Sequence, residues 1–596
     1  MSLRESRISY ILKLIFDASK PFTLLVVFQK LVVGLIPAIM VMAFSNFINK
    51  SLMIFNSGLT IEIIYPALFF ITFLLIISLL SEKIIHFANI KITNNLRLKL
   101  SGSIFSKYGG LEYKHLESPQ TRDLILRCTV TPEITLMNTF ENICNFFSLI
   151  LTVVSIFIIV LSYVWWVGVL LILLCIPMFR TAIKSGRANY QTNIEITKYN
   201  RKYLYLSEVL TGRKSVEERY LFGFGELLNS KWKDNFEKAR KILFKTELKW
   251  FVKMKSGSLI MSLVALITCL AAIPAVYSEK ISIGIFIAMI SSIYNLVGRM
   301  ALEFTTLVDD MTKGLCYVKD LQDFENLTED YASKVKPAVD FLKLEKLEFK
   351  NVNFKYPGTE KYVLKDFSLV IEKGNHYAVV GVNGAGKTTM IKLLTGLYKD
   401  FEGQILINGK DISEYSPEKL KSLCAVAYQD FSKYEVSVRR NIEVGNINKL
   451  DTEESAEKVK MAAELMELDD FVVSLPQKME TQLGKIKKGS VDLSGGQWQK
   501  VILARFFNNP APLKILDEPT AALDPITESK LYEKFEKVFK DQTTLFISHR
   551  LGSTKLANKI LVINDGKIVE EGNHNELMKV DGIYSKLYKS QRSWYD

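Results

Sequence analysis

Cysteine and histidine are too sparse and too scattered in this chain to build a metal centre. The six cysteines among 596 residues (Cys128, Cys144, Cys175, Cys269, Cys316 and Cys424) include no pair at metal-ligand spacing. Three of them fall in apolar runs, where cysteine behaves as a small hydrophobe. The five histidines form no cluster either. The opening stretch MSLRESRISYILKLIF has no small-residue cleavage site, so it reads as an amphipathic basic start and not as a cleavable signal peptide. Acidic residues are outnumbered, 63 against 76 Lys and Arg, for a net charge of +13. Such a charge suits nucleic acid in principle, but basic residues spread over loops beside an anionic leaflet give the same sum. The chain is 48% hydrophobic and too long for one ordinary domain, which points to several domains with part of the chain in lipid.

A bilayer core of about 30 Å needs about 20 apolar residues per helix. Six segments meet this: Pro21–Phe47, Ile63–Leu80, Ile143–Leu161, Tyr163–Phe179, Gly257–Tyr277 and Ile281–Met300. The third and fourth form a hairpin at LSYVWW, where Tyr163, Trp165 and Trp166 suit a membrane–water interface. Gln29 and Lys30 fall in the first segment, and Asn295 and Arg299 in the last. Polar groups at such depth face a cavity or another helix. Lys30 lies close enough to an end to snorkel, and Arg299 fits either account.

The connections between spans two and three (Lys91, Arg97, Lys99, Lys107, Lys114, Arg122, Arg127) and between four and five (Lys184, Arg187, Lys198, Arg201, Lys202, Arg213, Lys214) are long and basic. The other connections carry little beyond Lys50 and Lys280. The positive-inside rule then predicts that both termini and both long loops are cytoplasmic. These loops keep apolar residues among their charges, as in NNLRLKLSGSIFSKY. They are predicted to be helices continuing from the spans, meeting at turns in HLESPQTRDLI (115–125) and SVEERYLFGFGELL (215–228).

Near residue 340 the pattern changes to short β-rich runs alternating with helical stretches, the mark of an α/β domain. The apolar run HYAVVG leads straight into GVNGAGKTT (381–389), a match to G-x-x-x-x-G-K-[ST] in strand–loop–helix context. Backbone N–H groups of such a loop close around phosphates at a helix N-terminus. Lys387 would neutralise β and γ oxygens, and Thr388 would hold Mg²⁺. In PLKILDEPTAALD (512–524), Leu513–Leu516 reads as a strand. That places Asp517 to coordinate Mg²⁺ and Glu518 to polarise an attacking water. Lys514 is out of place in a buried strand unless it snorkels at a sheet edge.

The order of phosphate loop, LSGGQ, LDEPT, ALD and SHR resembles the nucleotide-binding domain of an ABC transporter. With six spans ahead of it, the whole chain resembles an ABC exporter half-transporter of the type IV fold. The resemblance implies an all-α six-helix transmembrane domain with long cytoplasmic extensions (1–325), a linker (326–341), and an α/β P-loop ATPase domain with the ABC helical subdomain (342–590). It further implies that Tyr356 stacks on adenine. Asn383, Gly384, Gly386, Lys387, Thr388 and Thr389 would hold the phosphates, and Gln429 would contact Mg²⁺ and face the coupling helices. His549 would act as the switch histidine, and Asp524 belongs to the same ATP site. Ser494, Gly495, Gly496 and Gln497 would complete the ATP site of a second copy, head to tail. The turns at SPQT and EERYLFGFGE resemble coupling helices.

One segment departs from the family pattern. Just before the signature, LGKIKKGSVD places Lys485, Lys487 and Lys488 where many exporters carry an acidic residue, so the contact there would use other charges, with Glu217 or Glu218 as the expected counterparts.

Because every motif is intact, Glu518 included, the resemblance implies a homodimer with two competent sites in the cell membrane, surrounded by lipid and binding ATP and Mg²⁺, with no nucleic-acid partner. YQDFSKYEVSVRRNI (428–442) and LSGGQWQKVILAR (493–505) resemble Firmicutes exporters of ribosomally made peptides, those of lanthionine peptides among them. The expected cargo is therefore a peptide, with multidrug or lipid export as the alternative. Leader removal would belong to another enzyme, since no cysteine-protease domain precedes the spans. A soluble ABC ATPase would lack the spans, and an ATP-regulated channel or receptor would have both halves without transporting.

Overall fold

The computed structural model describes residues 6–57, 60–163, 165–278, 281–299, 303–518, 534–535, 542–547 and 553–592. The chain forms two compact units. One comprises Met1–Tyr108 with Ser118–Leu327, the other Gly109–Glu117 with Thr328–Asp596.

The first unit is helical. It opens with α1 (Arg7–Ala18), where the Ser6 hydroxyl caps the helix by accepting the Ser9 amide. The six predicted spans fall on α2 (Lys20–Ser57), α3 (Tyr65–Gly110), α6 (Pro132–Tyr163), α7 (Trp165–Thr211), α9 (Gly225–Tyr277) and α10 (Ile283–Arg299). Short helices α5 (Pro119–Thr129) and α8 (Val216–Phe222) occupy the predicted turns, the first preceded by α4 (Tyr113–Glu117), which belongs to the second unit, and α11 (Thr305–Glu325) closes the first unit. Lys20–Asn56, Ile61–Gly110 and Pro132–Ile159 are long and apolar enough to cross a membrane, and Ile283–Asn295 is a shorter apolar helix. Many side chains of the fourth and fifth predicted spans lie outside the described residues. The six-span total therefore remains a reading of the sequence.

At 1.5 Å per residue, the 46 residues of α3 extend about 70 Å, more than twice a bilayer core, and α7 and α9 are longer still. Only part of each can sit in lipid, so these helices run well past it. Leu24, Phe28, Met42 and Phe69 are exposed on α2 and α3, as lipid-facing side chains should be. Inside the unit, small residues let backbones approach. A Cβ on Gly34 would stand 2.9 Å from the Ser148 carbonyl oxygen, and the Thr152 hydroxyl donates to the Gly34 carbonyl at 2.9 Å. Beyond the spans, Asp320 on α11 accepts from Arg127 Nε on α5 at 2.8 Å and from the Tyr190 hydroxyl on α7, joining three helices.

The second unit begins with α4 and the one-turn α12 (Tyr331–Lys334) and holds two sheets. The strands are β1 (Lys346–Phe354), β2 (Leu364–Glu372), β3 (His376–Gly381), β4 (Glu402–Ile407), β5 (Lys410–Asp411), β6 (Cys424–Ala427), β7 (Leu513–Asp517), β8 (Thr543–Ile547), β9 (Lys559–Asn564) and β10 (Lys567–Gly572). The smaller sheet is antiparallel, in the order β2-β1-β4-β5. The larger runs β10-β9-β3-β8-β7-β6, parallel except for the β10 edge. Apolar side chains of both sheets, among them Phe349, Phe367, Val379, Ile515 and Leu545, share one core. The helix after β3, α13 (Lys387–Leu394), packs its Met390, Ile391, Leu393 and Leu394 into that core.

The helix α14 (Pro417–Leu423) packs Leu423 into the same first core, and a second core lies under a helical region of α15 (Val438–Glu443), α16 (Glu453–Leu465), α17 (Asp469–Ser474) and α18 (Gly495–Phe507). Trp498, Val501 and Phe506 of α18 meet Val459 and Ala463 of α16 there.

The reading of Lys514 as snorkelling at a sheet edge is wrong. β7 lies between β8 and β6, and all five of its residues are buried. The Lys514 ammonium instead donates to the carbonyl of Asn509 and, at 3.5 Å, to that of Phe506. It also lies 5.2 Å from the Phe506 ring. These carbonyls end α18, so the lysine caps the C-terminus of that helix. Burial lowers its pKa to about 7.

Candidate active site

The site forms where β3 and β7 end. Ligands of open α/β sheets bind beyond the carboxyl ends of the strands, and β8 separates these two, leaving a crevice between them. The chain leaves β3 at Gly381, where a Cβ would lie 2.2 Å from the Ile563 carbonyl oxygen, so no larger residue fits. Gly386 takes φ +109 as the residue before α13, a conformation that favours glycine. Lys387 and Thr388 follow as the first helical residues, beside the amides that α13 leaves free.

A cleft of about 590 Å³ opens over this loop. Its walls are Tyr356, Val363, Asn383, Gly384, Ala385, Gly386, Lys387, Thr388, Thr389, Gln429, Asp517 and Glu518. Lys387 Nζ donates to the carbonyls of Gly381 at 2.7 Å and Val382 at 3.2 Å. Burial pushes its pKa down, against the pull of Glu518 and Asp517. The Thr388 hydroxyl points to Asp517 Oδ2 at 3.4 Å. Burial, then the neighbouring Glu518 charge, pushes the Asp517 carboxyl up to about 6. The Gln429 amide donates to Glu518 Oε2 at 2.8 Å. Glu518 itself has φ +49, a left-handed conformation, and its amide donates to the Ile547 carbonyl on β8 at 2.9 Å. Tyr356 also lines the cleft and shares a 2.9 Å hydrogen bond with Thr389.

These positions supply what a nucleoside triphosphate needs: an aromatic face, free helix-end amides, an ammonium, and carboxylates. The oxygens of Thr388 and Asp517 also fit Mg²⁺, which takes few protein oxygens and keeps water and phosphate for its other positions. Bound there, the ion would neutralise phosphate charge.

The structure brings together Tyr356, Asn383, Gly384, Gly386, Lys387, Thr388, Thr389, Gln429, Asp517 and Glu518. Ser494, Gly495, Gly496 and Gln497 are not among the lining residues. They start α18 in a capping box, with the Ser494 hydroxyl accepting from the Gln497 amide at 3.2 Å and Gln497 Oε1 accepting from the Ser494 amide at 2.9 Å. Ser494 and Gly495 are exposed. Asp524 and His549 lie outside the described residues. Val363 and Ala385 also line the cleft. They are small and apolar with no polar chemistry, and no motif marks Val363.

In the lysine-rich segment, Lys485 pairs with Asp492 at 2.5 Å, while Glu435 accepts the amides of Lys485 and Ile486 at 2.9 Å each. Glu435 thus meets this loop's backbone, and Lys487 and Lys488 are exposed.

The profile of the ABC transporter family matches residues 364–521. The chain is 33% identical over 595 residues to the subtilin transport ATP-binding protein SpaT of Bacillus subtilis, covering 97% of this chain and 93% of that one. It is 27% identical over 606 residues to the nisin transport ATP-binding protein NisT of Lactococcus lactis subsp. lactis, covering 98% and 95%. Its fold is similar to that of a bacterial Atm1-family ABC exporter solved with ATP bound, with TM-score 0.77, 21% identity, and coverage of 95% of this chain and 98% of that one.

Proposed function

Because the chain belongs to the ABC transporter family, we propose that it is half of a homodimeric exporter that hydrolyses ATP to move a peptide out of the cytoplasm. The observation that carries this reading is its similarity along 97% of its length to a subtilin transport protein, supported by the nisin relative. Residues 1–325 would form the membrane domain, 326–341 the linker and 342–590 the ATPase. The chain would sit in the plasma membrane with both termini cytoplasmic, its apolar helices against lipid.

In the proposed mechanism Tyr356 stacks on adenine while the 383–389 loop and the Lys387 ammonium hold the phosphates. Thr388 and Asp517 would hold Mg²⁺, with Gln429 alongside, and the ion would neutralise phosphate charge. Glu518 takes a proton from the attacking water as it approaches the γ-phosphorus, and Gln429 fixes the carboxylate in the meantime. By the family resemblance, Asp524 and His549 would serve the same site. At the start of α18 the first-turn amides of Gly495 and Gly496, between the two capping-box residues, suit a phosphate held by the partner's loop. ATP would thereby close the two ATPase domains, and hydrolysis would part them. Alternating access then follows from motion passed along helices as long as α3, α7 and α9.

The test is ATP-driven uptake into inside-out vesicles, comparing lanthionine peptides with hydrophobic dyes and labelled lipids. Uptake of peptides alone supports the reading. Uptake of dyes or lipids without peptides replaces it with multidrug or lipid export, and ATP turnover with no uptake of any kind points to a regulatory role.

A further inference from the structure

Lys392 stands on α13, five residues beyond Lys387, with its side chain only 19% exposed. Its ammonium lies among three tyrosines, 5.2 Å from the ring centroid of Tyr113, 5.3 Å from Tyr356 and 5.9 Å from Tyr398. It donates to Glu117 Oε1 at 3.0 Å, while the Tyr398 hydroxyl donates to the other oxygen of that carboxylate. The rings meet edge to face, Tyr398 with Tyr356 and Tyr398 with Tyr113, each pair at 5.5 Å. Burial works against the charge on Glu117, but the hydrogen bonds from Tyr398 and Lys392 outweigh it and hold the carboxyl below its ordinary range.

Tyr113 and Glu117 belong to the segment Gly109–Glu117, which packs within the ATPase unit although its chain continues into α3 and α5 of the helical unit. Tyr356 is therefore held by four groups: the Thr389 hydroxyl, the rings of Phe354 and Tyr398, and a cation that Glu117 also holds. A base stacking on Tyr356 meets a ring whose position is shared with that segment. A shift of the ring changes the cation–π contact to Lys392, and Lys392 cannot follow it without loosening Glu117.

We propose that Lys392 and Glu117 form a positioning pair that sets Tyr356 for the nucleotide base and carries the base's presence into Gly109–Glu117. Coupling then depends on the base as well as on the phosphates. The proposal rests on the assignment of Tyr356 as the stacking residue, and the test separates the two.

The test is hydrogen–deuterium exchange on the full chain in nanodiscs, with ATP or with inorganic tripolyphosphate, which has no base. In the unmodified chain ATP slows exchange in 109–117 and tripolyphosphate does not, whereas both slow it in the phosphate loop. In Lys392→Gln and Glu117→Gln, ATP still protects the loop but no longer protects 109–117. ATPase KM rises about fivefold while kcat changes less than twofold, the size expected for one cation–π contact. The exchanged pair Lys392→Glu with Glu117→Lys restores both readouts in part. The proposal is overturned by equal protection of 109–117 from tripolyphosphate, or by full ATP protection of that segment in Lys392→Gln. Tyr356→Ala with an unchanged KM for ATP would instead overturn the stacking assignment, and the proposal with it.

Discussion

The side-chain amide of Gln429 donates to Glu518 at 2.8 Å, and Glu518 holds this position with φ +49. A non-glycine residue in that region is strained, and such strain persists only where surrounding contacts fix it. The fixing contacts include the hydrogen bond from the Glu518 backbone amide to the Ile547 carbonyl and the one from the Gln429 side chain. The carboxylate is thereby set at the wall of the phosphate cleft before substrate arrives, a preorganised position for a base.

If Glu518 is the base, replacing its carboxylate removes that function and leaves the 383–389 loop in place. Glu518→Gln is expected to lower ATP turnover by about a hundredfold or more, in the range general-base catalysis supplies. ATP binding should persist, so equilibrium binding of labelled ATP and steady-state turnover separate the two effects. Gln429→Ala should cost less, since it frees the carboxylate without deleting it. Full turnover in Glu518→Gln would remove the residue from the chemistry.

Gly381 illustrates a geometric requirement. Its missing side chain leaves room for the Ile563 carbonyl, which a Cβ would approach to 2.2 Å. The neighbour is backbone of β9, paired with β3 in parallel register, and it cannot turn aside as a side chain would. Gly381→Ala should therefore push β3 from β9 and displace the start of the loop, at about 1–3 kcal/mol for overpacking of this kind. The expected result is a lower melting temperature together with weaker ATP binding. An alanine variant with unaltered melting would mean that the strands part more easily than their packing suggests.

Much of the site was legible because its chemistry is local. The phosphate loop needs a strand, glycines, a lysine and a threonine in consecutive positions, and Asp517 and Glu518 need only a strand end. The signature segment was legible by its family motif, and the structure shows that it starts α18 with Ser494 and Gln497, three apart, in a capping box. Other features depend on what folds against them. Glu117 meets Lys392 across 275 residues of sequence, and no periodicity pairs them. Lys514 looked like an edge residue because a lysine inside a strand implies exposure. Its partners are carbonyls at the end of α18, and the sheet order that buries it is not written in local pattern. Side-chain hydropathy also could not show that Gly109–Glu117 packs with the ATPase unit.

Lys514 gives the chain a pH dependence of stability that one substitution should abolish. Burial lowers its folded pKa to about 7, against about 10.4 for an exposed lysine. Below about pH 7 both states carry the proton, and the folded state bears the full cost of a buried charge. Between the two values the unfolded chain binds more protons, so stability rises with pH, by about 1.4 kcal/mol per unit at most. The rise ends above the unfolded value. Lys514→Met should flatten this slope and be more stable than the unmodified chain near neutrality, while losing the cap on α18. Thermal melts of both chains in nanodiscs from about pH 7 to about pH 9 check it. Parallel curves would show that Lys514 keeps its proton in the folded state.

The start of α18 yields the sharpest test of two copies. Ser494 to Gln497 do not line the cleft formed by the chain's own phosphate loop, yet Gly495 and Gly496 present first-turn helix amides that suit phosphate. If each copy's α18 completes the other's site, Lys387→Ala disables the site built on its own loop, and Ser494→Arg disables the site built on the partner's loop. Each variant alone then has two dead sites. In a mixed dimer both defects fall on one site, and the other keeps an intact Lys387 from one copy and an intact Ser494 from its partner. Random mixing makes half the dimers mixed, so independent sites should recover about a quarter of unmodified ATPase activity. If Ser494 instead serves its own chain's ATP, every site in every dimer carries a defect and mixing recovers nothing. Co-expression with two different tags, followed by sequential purification, isolates the mixed dimer and raises the expected recovery to about half. A tagged pair that never co-purifies would rule out the homodimer itself.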